Sequence, residues 1–374
     1  MRTKHLWIAS SVCMLLVGAV AWATAASAAT SRSRRLPPRD EISRISPTRA
    51  IIEYANRVRV EKPERHGNLS LFAVSVSGVK VPDIHLTLNQ ALKQGRFEAI
   101  ELDEPDVNRL KVRNWGKEPV FIIAGEMLRG GKQDRIAGDD LIVLEQTKLV
   151  IPVFCVEHGR WAGRESGFSV GHSLAGARVR QSAGRGGGQG AVWSRVEEQQ
   201  KALDAPSATG ALRSVHDSKA VRDRMKPYLR ALSDLPDEHR KAVGIVAVVG
   251  GEIIAADLFS SRKLFETMWP DLLEAYVVDA LEHAEVQPML RHREEKGAAL
   301  GEKDVLRWLQ GLRSAEMSVK DTPGDGELYE LSGRGLSGTA LVYEHGIVHI
   351  ALFPNDVIAR PDYNSLEFRR ERMR

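Results

Sequence analysis

The chain predicts an α+β fold in one integrated domain: a β-rich front half, a helical middle, and two β-hairpins packed with helices. Three observations carry that expectation. The front half alternates short apolar runs, among them Val120–Ala124 and Ile151–Val156, with polar turns, as core strands do. The middle sets Trp193, Val196, Gln200 and Leu203 on one helical face, and Met225, Leu229 and Leu232 repeat the spacing within 221–232. Further on, Val243–Val249 and Ile253–Phe259 flank Gly250-Gly251, the strongest hairpin signal in the chain.

The elements follow in order. Arg2 and Lys4 precede an apolar run from Leu6 to Trp22, and Ala26-Ser27-Ala28 offers a cleavage site. Residues 1–28 therefore read as a signal peptide, and the chain as exported, periplasmic or secreted. An uncleaved membrane anchor is the alternative, because the run nearly spans a bilayer. Residues 29–60, rich in Arg, Pro and Ser, read as a linker. The domain is expected over 61–354, and 355–374 reads as a basic tail.

Within the domain, strands are expected near 68–76, 97–102, 109–112, 141–144 and 149–155, with Thr87 capping a short helix. Residues 162–190 are glycine-rich and predict a loop, mobile over 182–190. Ser260 or Ser261 caps the helix after the hairpin, and Pro270 should break it. A helix at 303–312 and strands near 328–331, 339–343 and 347–353 close the domain. The segments 244–259 and 338–353 echo each other, sharing Gly, Val, Ile, Leu and Phe at matched places. That echo fits either a decayed duplication or two hairpins obeying one alternation.

The formal net charge is +4. It is uneven: 29–60 holds eight Arg against three acids, and 355–374 five Arg against four, so the domain itself is mildly acidic. A nucleic-acid binder more often carries a basic stripe on its fold, so no strong nucleic-acid signal is present. Membrane contact is expected only through the leader, if it is kept. Once the leader is removed, Cys155 is the single cysteine, which excludes an internal disulfide. Its apolar strand neighbours make it a buried structural thiol, since His158, the nearest histidine, points to the opposite strand face.

The chemistry gathers between Val120 and Trp161. Gly125-x-x-x-x-Gly130-Gly131-Lys132-Gln133 fails as a Walker loop, because the lysine is one place late and Gln133 replaces the magnesium-binding hydroxyl. Paired glycines with Arg129, Lys132 and Arg135 still predict an anion-binding turn, or else a plain solvated one. Arg160 adds charge, and Trp161 and Trp193 offer stacking surfaces for a base or ribose, or else pack into the core. Glu126 and Glu157 each follow an apolar run and fit paired acid–base carboxylates, or ordinary salt bridges. If the strands 120–124 and 151–156 share a sheet and a direction, Glu126, Lys132, Gln133, Arg135, Glu157 and Arg160 converge in one cleft. No histidine or cysteine cluster has metal-site spacing, and the sequence identifies no cofactor.

These residues carry a resemblance. Glu126, Gly130-Gly131-Lys132-Gln133-x-Arg135, the run 151–161 and Trp193 are similar to the ARG and rhodanese-phosphatase-superfamily-associated domain, where ARG denotes ADP-ribosylglycohydrolase. The likeness extends through Asp257-Leu258-Phe259 to 349–353. It implies genomic company with enzymes of ADP-ribose metabolism, and hence a nucleotide- or ADP-ribose-like anionic ligand. It implies no established activity, and a non-catalytic structural or interaction protein of the cell envelope is the alternative.

Overall fold

Two similar hairpins meet at the centre of a large antiparallel sheet, with helices packed on its faces and two smaller sheets inserted between its strands. The computed structural model describes residues 47–161, 167–184, 187–290 and 300–355. The leader, the linker up to 46, the loop residues 162–166 and 185–186, and the tail from 356 lie outside these.

The described chain opens with α1 (Pro47–Arg57), β1 (Arg59–His66) and β2 (Leu69–Ser75). There follow β3 (Leu86–Thr87), α2 (Leu88–Lys93), β4 (Phe97–Ile100), β5 (Arg109–Asn114), β6 (Val120–Ile122), β7 (Glu126–Gly130), β8 (Arg135–Ala137), β9 (Leu141–Val143), β10 (Thr147–Cys155) and β11 (Phe168–Leu174). Five helices come next: α3 (Ala177–Gly184), α4 (Gly188–Leu203), α5 (Arg213–Asp217), α6 (Lys219–Leu232) and α7 (Leu235–Glu238). The chain returns to the large sheet with β12 (Ala242–Val249) and β13 (Glu252–Phe259), crosses it with α8 (Arg262–Leu290), and adds α9 (Glu302–Leu309) and a 3-10 turn, Gln310–Ser314. It ends with β14 (Glu316–Lys320), β15 (Glu327–Gly333), β16 (Leu336–Tyr343) and β17 (Gly346–Pro354). The α+β expectation holds.

The large sheet runs β1-β2-β12-β13-β17-β16-β15-β14. A six-stranded sheet, β11-β7-β8-β10-β5-β4, and a three-stranded one, β3-β6-β9, form the inserted part between β2 and β12. On one face of the large sheet, Ile51 and Tyr54 of α1 join Val305 and Leu309 of α9 over Phe72, Val246, Leu258 and Ile350. On the other, Leu272, Leu273 and Tyr276 of α8 pack with Leu71, Ile245, Phe259 and Leu341. Among the described residues no helix is long and apolar enough to cross a membrane.

The register of the central hairpins decides between the two explanations of their echo. Ala247 pairs with Ala255, and the register then slips so that Val248 pairs with Ile253. Displaced by 94 residues, Leu341 pairs with His349, and the slip again sets Val342 opposite Ile347. The turns match as well: Gly250 and Gly251 have φ of +61° and +88°, and Glu344 and His345, at the same places, have +47° and +64°. A Cβ on Gly244 would meet Asp257 O at 2.7 Å, and one on Gly338 would meet Ala351 O at 1.9 Å. Asp257 pairs with Ala351, its own counterpart, so a local two-fold axis passes between them. Helix, two strands, then a bulged hairpin is the unit. In the first copy the inserted part separates the strand pairs, and in the second only a short turn does. Alternation alone does not place a bulge, so duplication is the better account.

Four sequence expectations are corrected. The linker does not extend to 60, because Pro47–Arg57 is a helix whose Ile51 and Tyr54 are buried. The loop expected over 162–190 contains β11 and all of α3, and α4 starts at Gly188. Pro270 does not break α8, which runs unbroken for 29 residues. Burial of Leu272, Leu273, Tyr276 and Val277 outweighs the ~3 kcal/mol that proline costs inside a helix. Finally, β6 and β10 lie in different sheets, so they do not supply the shared direction. Thr87 does cap α2, receiving Gln90 N–H at 3.4 Å while Gln90 Oε1 receives Thr87 N–H at 3.1 Å. Ser261 caps α8 through Leu264 N–H at 3.2 Å.

Candidate functional site

On the face turned towards the insert, the second repeat of the sheet carries polar rows where a core would carry apolar ones. Register sets Glu316, Ser332, Ser337 and Phe353 in one row and Ser318, Glu330, Thr339 and Ala351 in the next. In the first repeat, the counterparts of the pair Glu330–Thr339 are Ala73 and Ile245, also paired and both fully buried. There α8 lies over the sheet. Over the second repeat a cavity of about 500 Å³ remains. Its other walls are Ala124, Gly125, Gly138 and Asp139 from the insert, and Arg180, Gln181 and Ala183 from α3. Its volume lies in the range of small-molecule sites.

The closed end of this cleft rests on a buried charge network. Arg180 grips Asp257 with Nη1 to Oδ2 at 3.0 Å and Nη2 to Oδ1 at 2.6 Å, and its Nε donates to Ala124 O at 3.1 Å. Tyr276 also donates its hydroxyl to Asp257. His349 joins Asp140 Oδ2 through Nδ1 at 2.7 Å and Asp257 Oδ1 through Nε2 at 3.0 Å. Burial would lower the His349 pKa, but the two carboxylates outweigh it and raise it to about 9, so both nitrogens donate. Burial would raise Asp257, but Arg180 and His349 hold it well below the carboxylate range. Ala124 N–H donates to Asp140 Oδ1 at 2.8 Å within the insert, and the His349 contact with Asp140 ties the insert to the sheet. Each guanidinium nitrogen of Arg180 is therefore already engaged where the side chain lines the cavity.

The other charged side chains that line the cavity are acids. Asp139 is buried and paired with Lys320 Nζ at 2.7 Å, and Lys320 also lies 3.8 Å from Glu330. Burial pushes the Asp139 carboxyl up, and Lys320 opposes it. Glu316 and Glu330 stand exposed at the mouth, Ser337 and Thr339 half-buried further in, and Phe353 is buried at the end. Carboxylates and hydroxyls over an aromatic floor accept hydrogen bonds from ligand hydroxyls and amines.

The residues that the sequence singled out form a second cluster. The β7–β8 hairpin sets Arg135 directly opposite Cys155 of β10, so 130–135 meets 157–161 by a different route from the one expected. Arg160 Nη2 reaches Glu157 Oε2 at 2.6 Å and Asp134 Oδ1 at 3.3 Å, and its Nη1 donates to Gly131 O at 2.9 Å. Arg213 adds Nε to Asp134 at 3.4 Å and Nη2 to Glu157 at 3.7 Å. Gln133 Nε2 donates to Glu157 O at 2.9 Å, and Thr209 donates to Glu157 Oε1 at 2.8 Å. Burial would raise Glu157, but Arg160 and Thr209 lower it. Lys132 N–H donates to Glu101 at 2.8 Å, while its Nζ lies 5.2 Å from the half-exposed Trp161 ring.

Arg135 is fully buried, with Nη1 donating to Gln133 O at 2.8 Å and Nη2 4.0 Å from Glu101. Its Nε, Gln133 Oε1 and Glu101 Oε2 have no direct hydrogen-bond partner among the described residues, a mix of donor and acceptors that suits ordered water. Arg129 pairs instead with Asp217 at 3.0 Å.

Glu126 does not join this cluster. It begins β7, pairs with Leu174, and accepts from Ile123 N–H at 3.4 Å, four residues along the strand from Gly130. Burial and then Asp271 raise its pKa to about 8. The paired-carboxylate reading of Glu126 with Glu157 is therefore corrected.

Sequence reasoning missed Asp140, Arg180, Asp257 and His349 as a unit, along with the acids Glu101 and Asp134. A charged residue inside an otherwise apolar strand, as Asp257 and His349 are, was the available signal. One further group, Glu64, Glu238 and His239, brings metal-ligand atoms within 4.8 Å of one another. His239 is already engaged there by Glu61 at 2.7 Å and Glu64 at 3.2 Å.

Fold and site define an α+β protein built on a duplicated sheet, with a ligand-sized cleft over its second repeat. The chain matches the family model of the ARG and Rhodanese-Phosphatase-superfamily-associated Protein domain over residues 57–353, and it belongs to that family. Neither curated proteins nor solved structures give a match.

Proposed function

We propose that this protein binds a nucleotide- or ADP-ribose-like ligand in the cleft over the second repeat, recognising its ribose and base rather than its phosphate. One observation carries the reading. At the paired positions where the first repeat buries Ala73 and Ile245, the second presents Glu330 and Thr339 to an open cavity. Giving up apolar burial there forfeits roughly 1.5–3 kcal/mol per large side chain, a cost that ligand recognition accounts for. The family's association with ADP-ribosylglycohydrolase supports a ribose-bearing ligand. The charged start, apolar run and Ala26-Ser27-Ala28 support export.

On this reading the arginines in and around the glycine-rich turn are structural, because Asp217, Glu101, Asp134 and Glu157 already engage Arg129, Arg135, Arg160 and Arg213. Calorimetric titration with ADP-ribose, adenosine, ribose and inorganic phosphate tests it. The sugar-bearing compounds should bind and phosphate should not. Binding of phosphate without adenosine would reject the reading.

A further inference from the structure

The two edges of the large sheet are unlike, although duplication made them counterparts. β1 carries Lys62, Pro63, Glu64 and Arg65, and its register with β2 shifts between Val60 and Pro63. Proline, charges and a bulge are how natural sheets block edge-to-edge pairing. β14 has no proline and no bulge. It pairs with β15 in one unbroken register, and among the described residues no strand pairs with its other side. Val319 on this edge is 69% exposed, more than any other large apolar residue among the described residues, Val81 at 50% coming next.

The strand reads Glu316-Met317-Ser318-Val319-Lys320. Set antiparallel to a second copy about a two-fold axis at Ser318, it is self-complementary. Glu316 then lies opposite Lys320 of the partner copy, and Met317 opposite Val319, each contact made twice as an isologous interface requires. Moving the axis to Met317 or Val319 sets a charged residue against Ser318 and loses both matches. Parallel pairing brings like charges alongside. One register is thus favoured by both charge and apolar contact.

We propose that this chain forms a homodimer in which β14 pairs antiparallel with β14 of a second copy, joining two eight-stranded sheets edge to edge. The new axis stands perpendicular to the sheet, as the internal one at Asp257 and Ala351 does. Both clefts therefore open on the same face, with Glu316 and Ser318 of each at the shared seam. Lys320 can hold Asp139 of its own chain and face Glu316 of the partner copy at once. An edge of five residues buries less than the roughly 800 Å² per partner of a standard interface, so association depends on concentration.

Sedimentation velocity across a series from low micromolar to several hundred micromolar should show monomer passing to dimer. Val319→Glu should weaken the dimer about tenfold or more, with an unchanged far-ultraviolet spectrum. Ser318→Cys should cross-link to a covalent dimer under mild oxidation, and adding Val319→Glu should slow it. A monomer throughout, with no cross-link, overturns the proposal. So does a dimer that tolerates Val319→Glu and does not cross-link at Ser318, because it uses another surface.

Discussion

Asp257 and Ala351 face each other across the central strand pair of the large sheet, and each is the other's counterpart in the duplicated halves. One position kept a carboxylate and the other a methyl group. Asp257 anchors Arg180, His349 and Tyr276 beneath the cleft, while Ala351 leaves room for it. The site owes its shape to divergence between two copies of one unit.

Removing the anchor should cost more than any single contact suggests. Asp257→Ala leaves Arg180 charged and buried without its carboxylate partner, and leaves His349 with Asp140 alone, a loss that typically costs about 3–5 kcal/mol. The urea midpoint should fall accordingly. A midpoint equal to that of the wild type would mean that the network is not held together as described.

His349 makes stability pH-dependent with a defined sign. Its folded pKa is raised to about 9, above an unfolded value near 6.5, so its contribution is fully present below the unfolded value. The contribution is lost as pH rises through the folded value. Urea unfolding of wild type and His349→Gln should therefore converge between about pH 6.5 and 9. Parallel curves across that window would contradict the doubly bonded imidazolium.

Glu126 carries the opposite charge logic. Its pKa is raised to about 8, first by burial and then by Asp271, so the folded state prefers the neutral acid. Wild-type stability should fall as pH rises from the usual glutamate range towards 8, and Glu126→Gln should remove that slope. The variant should not affect ligand affinity, since Glu126 does not line the cleft.

Cys155 is fully buried, and burial pushes its thiol up. Alkylation of the native protein should be slow and should speed up with denaturant. Cys155→Ser should destabilise by about 1–3 kcal/mol through burial of a hydroxyl, leaving binding intact. Rapid native alkylation with loss of binding would show a role in the site.

The sequence showed the fold class and both hairpins because alternation and paired turn residues are local signals. It also brought 130–135 and 157–161 together correctly, although by the wrong strands. Their acidic partners Asp134 and Glu101 were passed over, because only their burial makes them the counter-ions of the cluster. The cleft was not legible. It depends on a register that sets Glu330 beside Thr339, and on a comparison with Ala73 and Ile245 that requires knowing which strands correspond. Helix α1 was hidden by the composition of its neighbours, and α8 by a proline whose cost its burial exceeds.

The most direct test compares two variants in one titration with ADP-ribose. Thr339→Ile installs the side chain found at the equivalent place in the first repeat, and should fill the cleft while keeping the fold. Lys132→Ala removes a cation of the glycine-rich turn, away from the cleft. We expect Thr339→Ile to weaken binding about tenfold or more and Lys132→Ala to leave it unchanged. Loss of binding in Lys132→Ala with full binding in Thr339→Ile would place the site at the glycine-rich turn and contradict the account.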